Sequence, residues 1–191
     1  METTENNKDM TENTENQFCV ETIRWLAEHL GADASGIEAI FNESNAKLFM
    51  FIWPVFEKEV FDRDVKLGKI ESKTSDYLVY LDISELEDIS KRFYRRYFNC
   101  SYYYTNLINP DEKKYNKIID GILRKGYNDI EPHEKLYFLF FVAYRYRNNI
   151  FHGNKDILNW DNNEEQIRDC ITFMIKIIET NTLIKKQKAS H

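Results

Sequence analysis

The chain has 191 residues, 42% of them hydrophobic and 15% aromatic, and a formal net charge of −6. This length predicts one domain with a single core, and six glycines and three prolines are too few for a turn-rich β protein. The longest apolar runs have nine residues, whereas a membrane-spanning helix needs about 20, and the polar N-terminus lacks the blocks of a signal peptide. We therefore expect a soluble, cytoplasmic protein.

The N-terminal third is predicted to begin with an acidic, disordered tail at residues 1–17, which contain almost nothing that could be buried. A helical domain is expected over residues 18–185, followed by a flexible C-terminus at 186–191. The first short helix of that domain spans residues 20–30. Ser35 and Glu38 then form a capping-box pattern, which predicts the start of a longer helix.

Pro54 lies inside this longer helix, whose apolar residues continue to Val60. A proline removes one backbone donor and frees the carbonyl of Met50, so we expect a kink or a break there. Residues 62–83 have a mixed pattern that predicts no clear element. The segment from Asp82 to Ser84 can start a helix that runs to about residue 98.

Prolines mark the starts of two further helices. One begins near Pro110 and runs to about Lys125, and the next opens at Pro132. A last helix, from about residue 163 to 183, has a regular apolar stripe. No segment of useful length alternates as a strand, so the sequence predicts an all-α bundle in which the last two helices pack as a hairpin.

The most informative segment lies where the Pro132 helix ends, at Arg147-Asn148-Asn149-Ile150-Phe151-His152. Leu136, Phe140 and Ala143 recur at helical spacing, and Arg147 falls on the same apolar face. Arg145 is expected to point to the opposite, solvated side. An arginine on a buried face must be paired or used, because burial of an unpaired charge is costly.

The histidine of this segment does not share the face of the arginine. On a straight helix His152 would lie roughly 140° around from Arg147. We therefore expect the two side chains to meet only if the helix breaks near Asn148 and Asn149, or if they meet across a dimer interface. Gly153 directly follows the histidine and is typical of a helix end.

An arginine, then a polar residue, then a histidine a few positions later resembles the motif of the HEPN superfamily. The match is sharp over about residues 132–185 and architectural over the rest. HEPN domains are all-α, and many are metal-independent endoribonucleases whose two protomers bring their motifs together. They occur in toxin–antitoxin pairs and in CRISPR-associated and other antiviral systems. The resemblance thus implies a HEPN-like bundle, an RNA substrate, a homodimer, no cofactor, and a neutralising antitoxin or a defence-system partner.

The residue types in the motif suit RNA cleavage. The attacking 2′-hydroxyl must lose a proton and the leaving 5′-oxygen must gain one, and the pKa of histidine suits both transfers. Arg147 can bind phosphate oxygens with its planar fork, and Asn148 can orient the phosphate or the imidazole of His152. The alternative is that Arg147 and His152 only satisfy carbonyls at the helix end.

Two further groups are candidates for the site. Residues 91–147 carry twelve basic and six acidic residues, which gives a local charge of +6. In the first predicted helix of this segment, basic side chains alternate with aromatic ones. The predicted RNA-binding residues there are Lys91, Arg92, Arg95 and Arg96. The alternative for them is a solvated basic face on an amphipathic helix. Glu57 could orient Arg147 or His152, or else lie at a solvent-facing helix end.

The function predicted from these residues is that of a HEPN-type endoribonuclease acting in phage defence or as a toxin. Two rival interpretations stay open. One is a non-catalytic HEPN module that binds RNA, a nucleotide or a protein partner, and the other is a helical interaction protein. Cys19, Cys100 and Cys170 have no metal-ligand spacing, and the common zinc, phosphate-loop and hydrolase motifs are absent from the sequence.

Overall fold

The computed structural model describes residues 17, 20–25, 27–28, 31–43, 45–151 and 163–189. Regular structure within these ranges consists of helices without a β-strand, which confirms the predicted all-α fold class. Among the helices described, none combines the length and the apolar character that a membrane crossing requires.

The helices with defined bounds are numbered in chain order. They are α1 (Ala34–Glu43), α2 (Asn45–Phe61), α3 (Leu67–Leu78), α4 (Glu87–Asn99), α5 (Ser101–Leu107), α6 (Lys113–Leu123), α7 (Pro132–Phe151) and α8 (Glu164–Ala189). Short 3₁₀ turns at Ile83–Leu86 and Tyr127–Asp129 precede α4 and α7. Residues 20–25 and 27–28 are also helical.

The described residues up to Glu43 belong to one compact unit, and those from Asn45 onward belong to another. In the first unit α1 begins at Ala34, so Ser35 lies inside the helix and is not its N-cap, contrary to the predicted capping box. The Ser35 hydroxyl donates to the Asp33 carboxylate. That bond, together with nearby backbone amides, holds the pKa of Asp33 below its usual value. Asp33 therefore takes the capping position that the sequence pattern had assigned to Ser35.

The second unit is built around α7. Every residue from Leu136 to Ala143 is buried, so this stretch has no solvent-facing side. Contacts with α3, α4, α6 and α8 account for this burial. A helix that is apolar all round is stable only inside such a shell of neighbours.

Phe140 lies at the centre of an aromatic cluster that joins four helices. Its ring centroid is 5.1 Å from that of Phe173 on α8, 5.8 Å from that of Phe61 on α2 and 6.2 Å from that of Tyr77 on α3. Two of these pairs meet edge to face, at 86° and 90°, an orientation that the ring quadrupoles favour. The cluster therefore ties α7 to the helices on three of its sides.

Helices α2 and α8 run parallel, and polar contacts join them at both ends. The Glu164 carboxylate accepts hydrogen bonds from the backbone N–H of Asn45, at 3.0 and 3.1 Å, where the helix dipole favours an anion. Toward the other end, the Asn181 amide donates to the Glu59 carbonyl at 2.7 Å, and Lys185 forms an ion pair with the Glu59 carboxylate. The first residues of the two helices therefore lie together, as do their later turns.

Several predicted element bounds are confirmed. The Asp82 carboxylate accepts a hydrogen bond from the Ser84 N–H at 2.9 Å and caps the 3₁₀ turn that leads into α4. Helix α7 begins at Pro132, as predicted. Helix α8 begins within one residue of the predicted start but continues to Ala189, past the predicted end at Leu183.

Other element bounds differ from the prediction. Of the kink or break expected at Pro54, the break is not found, because α2 is continuous from Asn45 to Phe61. Both Pro54 and Met50 are exposed, so water can solvate the carbonyl that the proline leaves without a donor. The single long helix predicted around Pro54 is described as α1 and α2, and the unassigned stretch 62–83 contains α3.

The aromatic cluster leads to a prediction about stability. Phe140→Ala should lower the free energy of unfolding by about 3–5 kcal/mol, because the surrounding rings cannot close the cavity. Tyr102→Ala is the matched control, since that aromatic side chain is 70% exposed and should change stability by about 0.5 kcal/mol or less. Urea unfolding of both variants measures the difference, and a comparable loss in the two would contradict a core centred on Phe140.

Candidate active site

Arg147 lies in the last turn but one of α7 and is half-buried. Its Nη1 donates to the Asn148 Oδ1 at 3.0 Å. The guanidinium carbon is 5.9 Å from the ring centroid of Trp53 on α2 and 5.4 Å from that of Phe151. Both distances allow cation–π attraction, so one buried ring and one partly exposed ring hold the charge at the end of the helix.

The backbone beside Arg147 stays helical. Asn148 is half-buried, Asn149 is buried, and α7 continues through both of them to Phe151. The helix break considered near these asparagines is therefore not found. His152, the third member of the predicted catalytic set, lies outside the described residues, as does Gly153.

Glu57 lies on α2, one turn after Trp53, and is half-buried. Within the described part of the chain its carboxylate has neither a hydrogen bond nor an ion pair. It thus shares a helix with the ring that contacts Arg147, while its role as an orienting acid stays a prediction.

Arg145 differs from its prediction. Its side chain is buried rather than solvated, and its Nη1 lies 3.3 Å from Oε2 of Glu112, just before α6. The prediction failed because it assumed that α7 has a solvent-facing side, whereas α6 covers that side. Arg147, placed by the sequence pattern within the apolar stripe, is the more exposed of the two arginines.

Arg92, predicted to bind RNA, forms a bidentate pair with Asp169 of α8. Its Nε donates to Oδ2 at 2.8 Å and its Nη2 donates to Oδ1 at 2.6 Å. Asp169 is buried, and Glu165 lies at 4.0 Å from the same guanidinium. The Asp169 hydrogen bonds, foremost, raise the pKa of Arg92. This geometry gives Arg92 a structural task, which is to attach α4 to the first turns of α8.

The other predicted RNA-binding residues divide into two kinds. Arg96 donates to the Asn163 side chain at 3.0 Å and stacks over the Tyr103 ring at 3.6 Å. Lys91 lies 5.7 Å from the Tyr127 ring. Arg95, in contrast, is exposed and has no hydrogen bond or ion pair among the described contacts. Of the four, Arg95 is the residue best placed to meet a ligand.

Tyr146, directly before Arg147, is buried against Phe93, whose ring centroid is 6.1 Å away. Burial raises the pKa of Tyr146 well above its ordinary value, and it raises the pKa of Tyr97 as well. Both phenols are therefore neutral at physiological pH, and neither supplies a base to the end of α7.

The described part of this site offers a fixed cation, an amide and exposed aromatic surface. Such a set can bind and orient a phosphate. No group of three or more His, Cys, Asp or Glu side chains in the described ranges is arranged to hold a metal ion.

Sequence reasoning did not single out Trp53, Glu112 or Asp169. Each acts through a partner that is distant in sequence, and an isolated pattern carries no signal for such a pair. Comparison with family models, with curated proteins and with solved structures found no match to this chain.

The two arginines of α7 provide a test of this geometry. Arg145→Met should lower the free energy of unfolding by about 3 kcal/mol, because it leaves the Glu112 carboxylate partly buried without its partner. Arg147→Met should cost about 1 kcal/mol or less, the usual size of a partly exposed cation–π contact. Urea unfolding of both variants checks this order.

Glu112→Gln provides the control for the buried pair. Added to Arg145→Met, it should recover part of the lost stability, since no carboxylate is then left unpaired. A larger loss for Arg147→Met than for Arg145→Met would contradict the assignment of the buried pair.

Proposed function

We propose that this chain is a metal-independent endoribonuclease of the HEPN type, with Arg147, Asn148 and His152 as its catalytic set. The placement of Arg147 is the observation that supports this most. A cation at the end of a buried helix is held by Trp53, Phe151 and the side chain of Asn148. A charge fixed in this way costs little reorganisation when charge develops on a phosphate.

The proposed reaction divides the work among the three side chains. A guanidinium has five N–H donors, so Arg147 can bind two phosphate oxygens while it keeps its bond to Asn148. The 2′-oxygen forms a bond to phosphorus as the bond to the 5′-oxygen breaks. One histidine accepts the 2′-hydroxyl proton and another donates a proton to the leaving oxygen, which yields a 2′,3′-cyclic phosphate and a 5′-hydroxyl.

A homodimer is part of this proposal, because one chain supplies one motif histidine. The exposed apolar residues Leu48, Phe51 and Val55 follow helical spacing on α2, the helix that carries Trp53. We assign this α2 outer face to the contact with the second copy.

The biological setting that goes with the proposal is phage defence or toxicity in the cytoplasm, with RNA as the substrate. A neutralising antitoxin or a defence-system protein would then restrain the activity. The rival is a non-catalytic HEPN module that binds RNA, a nucleotide or a protein. The two differ in a measurable way, since only the enzyme forms cleaved products.

The chemistry is tested by His152→Ala. This change should lower the rate of RNA cleavage by about 100-fold or more, the usual contribution of a general acid or base. Arg147→Met should also abolish cleavage, through loss of the phosphate contact. Electrophoresis and mass spectrometry of the products should show 2′,3′-cyclic phosphate ends, and cleavage should persist in EDTA.

His133→Ala is the matched control for the histidine, since His133 is exposed at the opposite end of α7. It should leave cleavage unchanged. Full activity in the His152 variant, or loss of activity with EDTA, would count against the proposed mechanism. RNA binding without any product would favour the non-catalytic module.

The dimer makes a separate prediction. Light scattering at micromolar concentration should report about twice the chain mass of 23.0 kDa. Phe51→Glu should shift the protein to the monomer and lower its activity, because a charge in an apolar contact is costly. Val79→Glu, at a site that is 77% exposed on another helix end, should leave the dimer intact. A monomer at every concentration would remove the composite site.

A further inference from the structure

A cleft of about 360 Å³ lies between the end of α4, the start of α5 and the end of α6. This volume is within the usual range of small-molecule sites, about 300–1,000 Å³. Its lining combines an apolar wall, which includes Phe98 and Leu123, with the polar side chains of Ser101, Tyr104, Asp120 and Arg124. Among the residues that the structure describes, neither Arg147 nor Asn148 lines it.

Phe98 forms the aromatic wall of the cleft and is 58% exposed. Its ring stacks on Tyr94, with centroids 5.2 Å apart and planes 14° from parallel. Tyr94 is itself fixed, since its hydroxyl donates to the Lys125 carbonyl at 2.7 Å. Phe98 therefore presents a firmly held ring, and a planar ligand on it would extend the existing stack.

Asp120 supplies an acceptor at the polar side of the cleft. The Tyr104 hydroxyl donates to its Oδ1, which orients the carboxylate. Burial, together with this bond, raises the pKa of Tyr104 to about 12, so the hydroxyl keeps its proton at physiological pH. A carboxylate has further lone pairs beyond the one that Tyr104 occupies, and these can accept N–H groups of a ligand.

Arg124 follows α6 and adds a positive charge to the same cleft. It is exposed, and within the described contacts it forms no ion pair, even with Asp120 one turn earlier. Arg95, three residues before Phe98 on α4, is likewise exposed. The cleft thus places a stacking ring, a carboxylate acceptor and a cation around one volume.

We propose that this cleft binds a guanine nucleotide, either free or as one residue of a single-stranded RNA. The base stacks on Phe98, its N1–H and exocyclic amino group donate to Asp120, and its phosphate binds Arg124. Guanine is the base that presents two adjacent donors on one edge, which suits a carboxylate. Adenine and cytosine offer a single amino group beside an acceptor, and the acceptors of uracil would be repelled.

The first measurement is calorimetric titration of the full chain with GMP, AMP, CMP and UMP. GMP should bind about tenfold more tightly than the others, the discrimination expected of one good bidentate contact. The second measurement compares the affinities of two 2′-O-methyl pentanucleotides, UUGUU and UUUUU. This RNA cannot be cleaved, so its binding is read independently of any nuclease activity.

Variants of the lining assign the contacts. Phe98→Leu should weaken binding about tenfold through loss of the stacked base, and Asp120→Asn should remove the preference for guanine. Arg124→Gln should weaken binding of every nucleotide. The matched controls Tyr102→Leu, Asp111→Asn and Lys117→Gln are exposed residues outside the lining and should change nothing.

The outcomes separate the two sources of the nucleotide. Tight GMP binding that depends on Phe98 and Asp120 supports a free-nucleotide site. A site for an RNA strand is supported if UUGUU binds and GMP does not, if this binding also depends on Phe98 and Asp120, and if Arg95→Gln weakens it. Equal binding of all bases, or binding that none of the lining variants weakens, would overturn the proposal.

Discussion

Burial of the middle of α7, residues 136–143, on every side is the constraint on which the other arrangements of the second unit depend. A charged side chain on such a helix must either pair with a partner inside the protein or lie near a helix end, where water can reach it. Arg145 follows the first course and pairs with Glu112, while Arg147 follows the second and emerges at the last turns between two rings. The position of Arg147 at the end of α7 is therefore linked to the close packing around Phe140.

Local signals in the sequence were sufficient for the helical class and for several helix starts, such as Pro132 and the Asp82 cap. These local signals did not predict which side chains are buried. Arg145 and Arg147 are two residues apart, and their relative exposure depends on where α6 lies, which no pattern within α7 encodes. In α3 the buried residues Leu67, Ile70 and Tyr77 do follow helical spacing, but weak helix formers between them obscured it.

The arginines of α4 show why a count of basic residues does not locate an anion-binding surface. Arg92 and Arg96 lie in one basic run with Arg95, yet both bind side chains at or near the start of α8. Asp169 compensates the charge of Arg92, and Arg96 is held by the neutral side chains of Asn163 and Tyr103. Arg95 and Arg124 are exposed and form no ion pair among the described contacts, so they contribute more to the field at the surface. The net charge of −6 hides this difference because it sums paired and unpaired groups alike.

The parallel pairing of α2 with α8 governs the order of events during synthesis of the chain. Asn45 meets Glu164, which is 119 positions later, and Phe56 packs on Phe173. Contacts of such long sequence separation form late, because a large loop must first close. The ribosome synthesises the chain from its N-terminus, so α2 cannot form these contacts until α8 has emerged. We expect the ring of Trp53 to reach its final place beside Arg147 only after α8 has formed its contacts with α2.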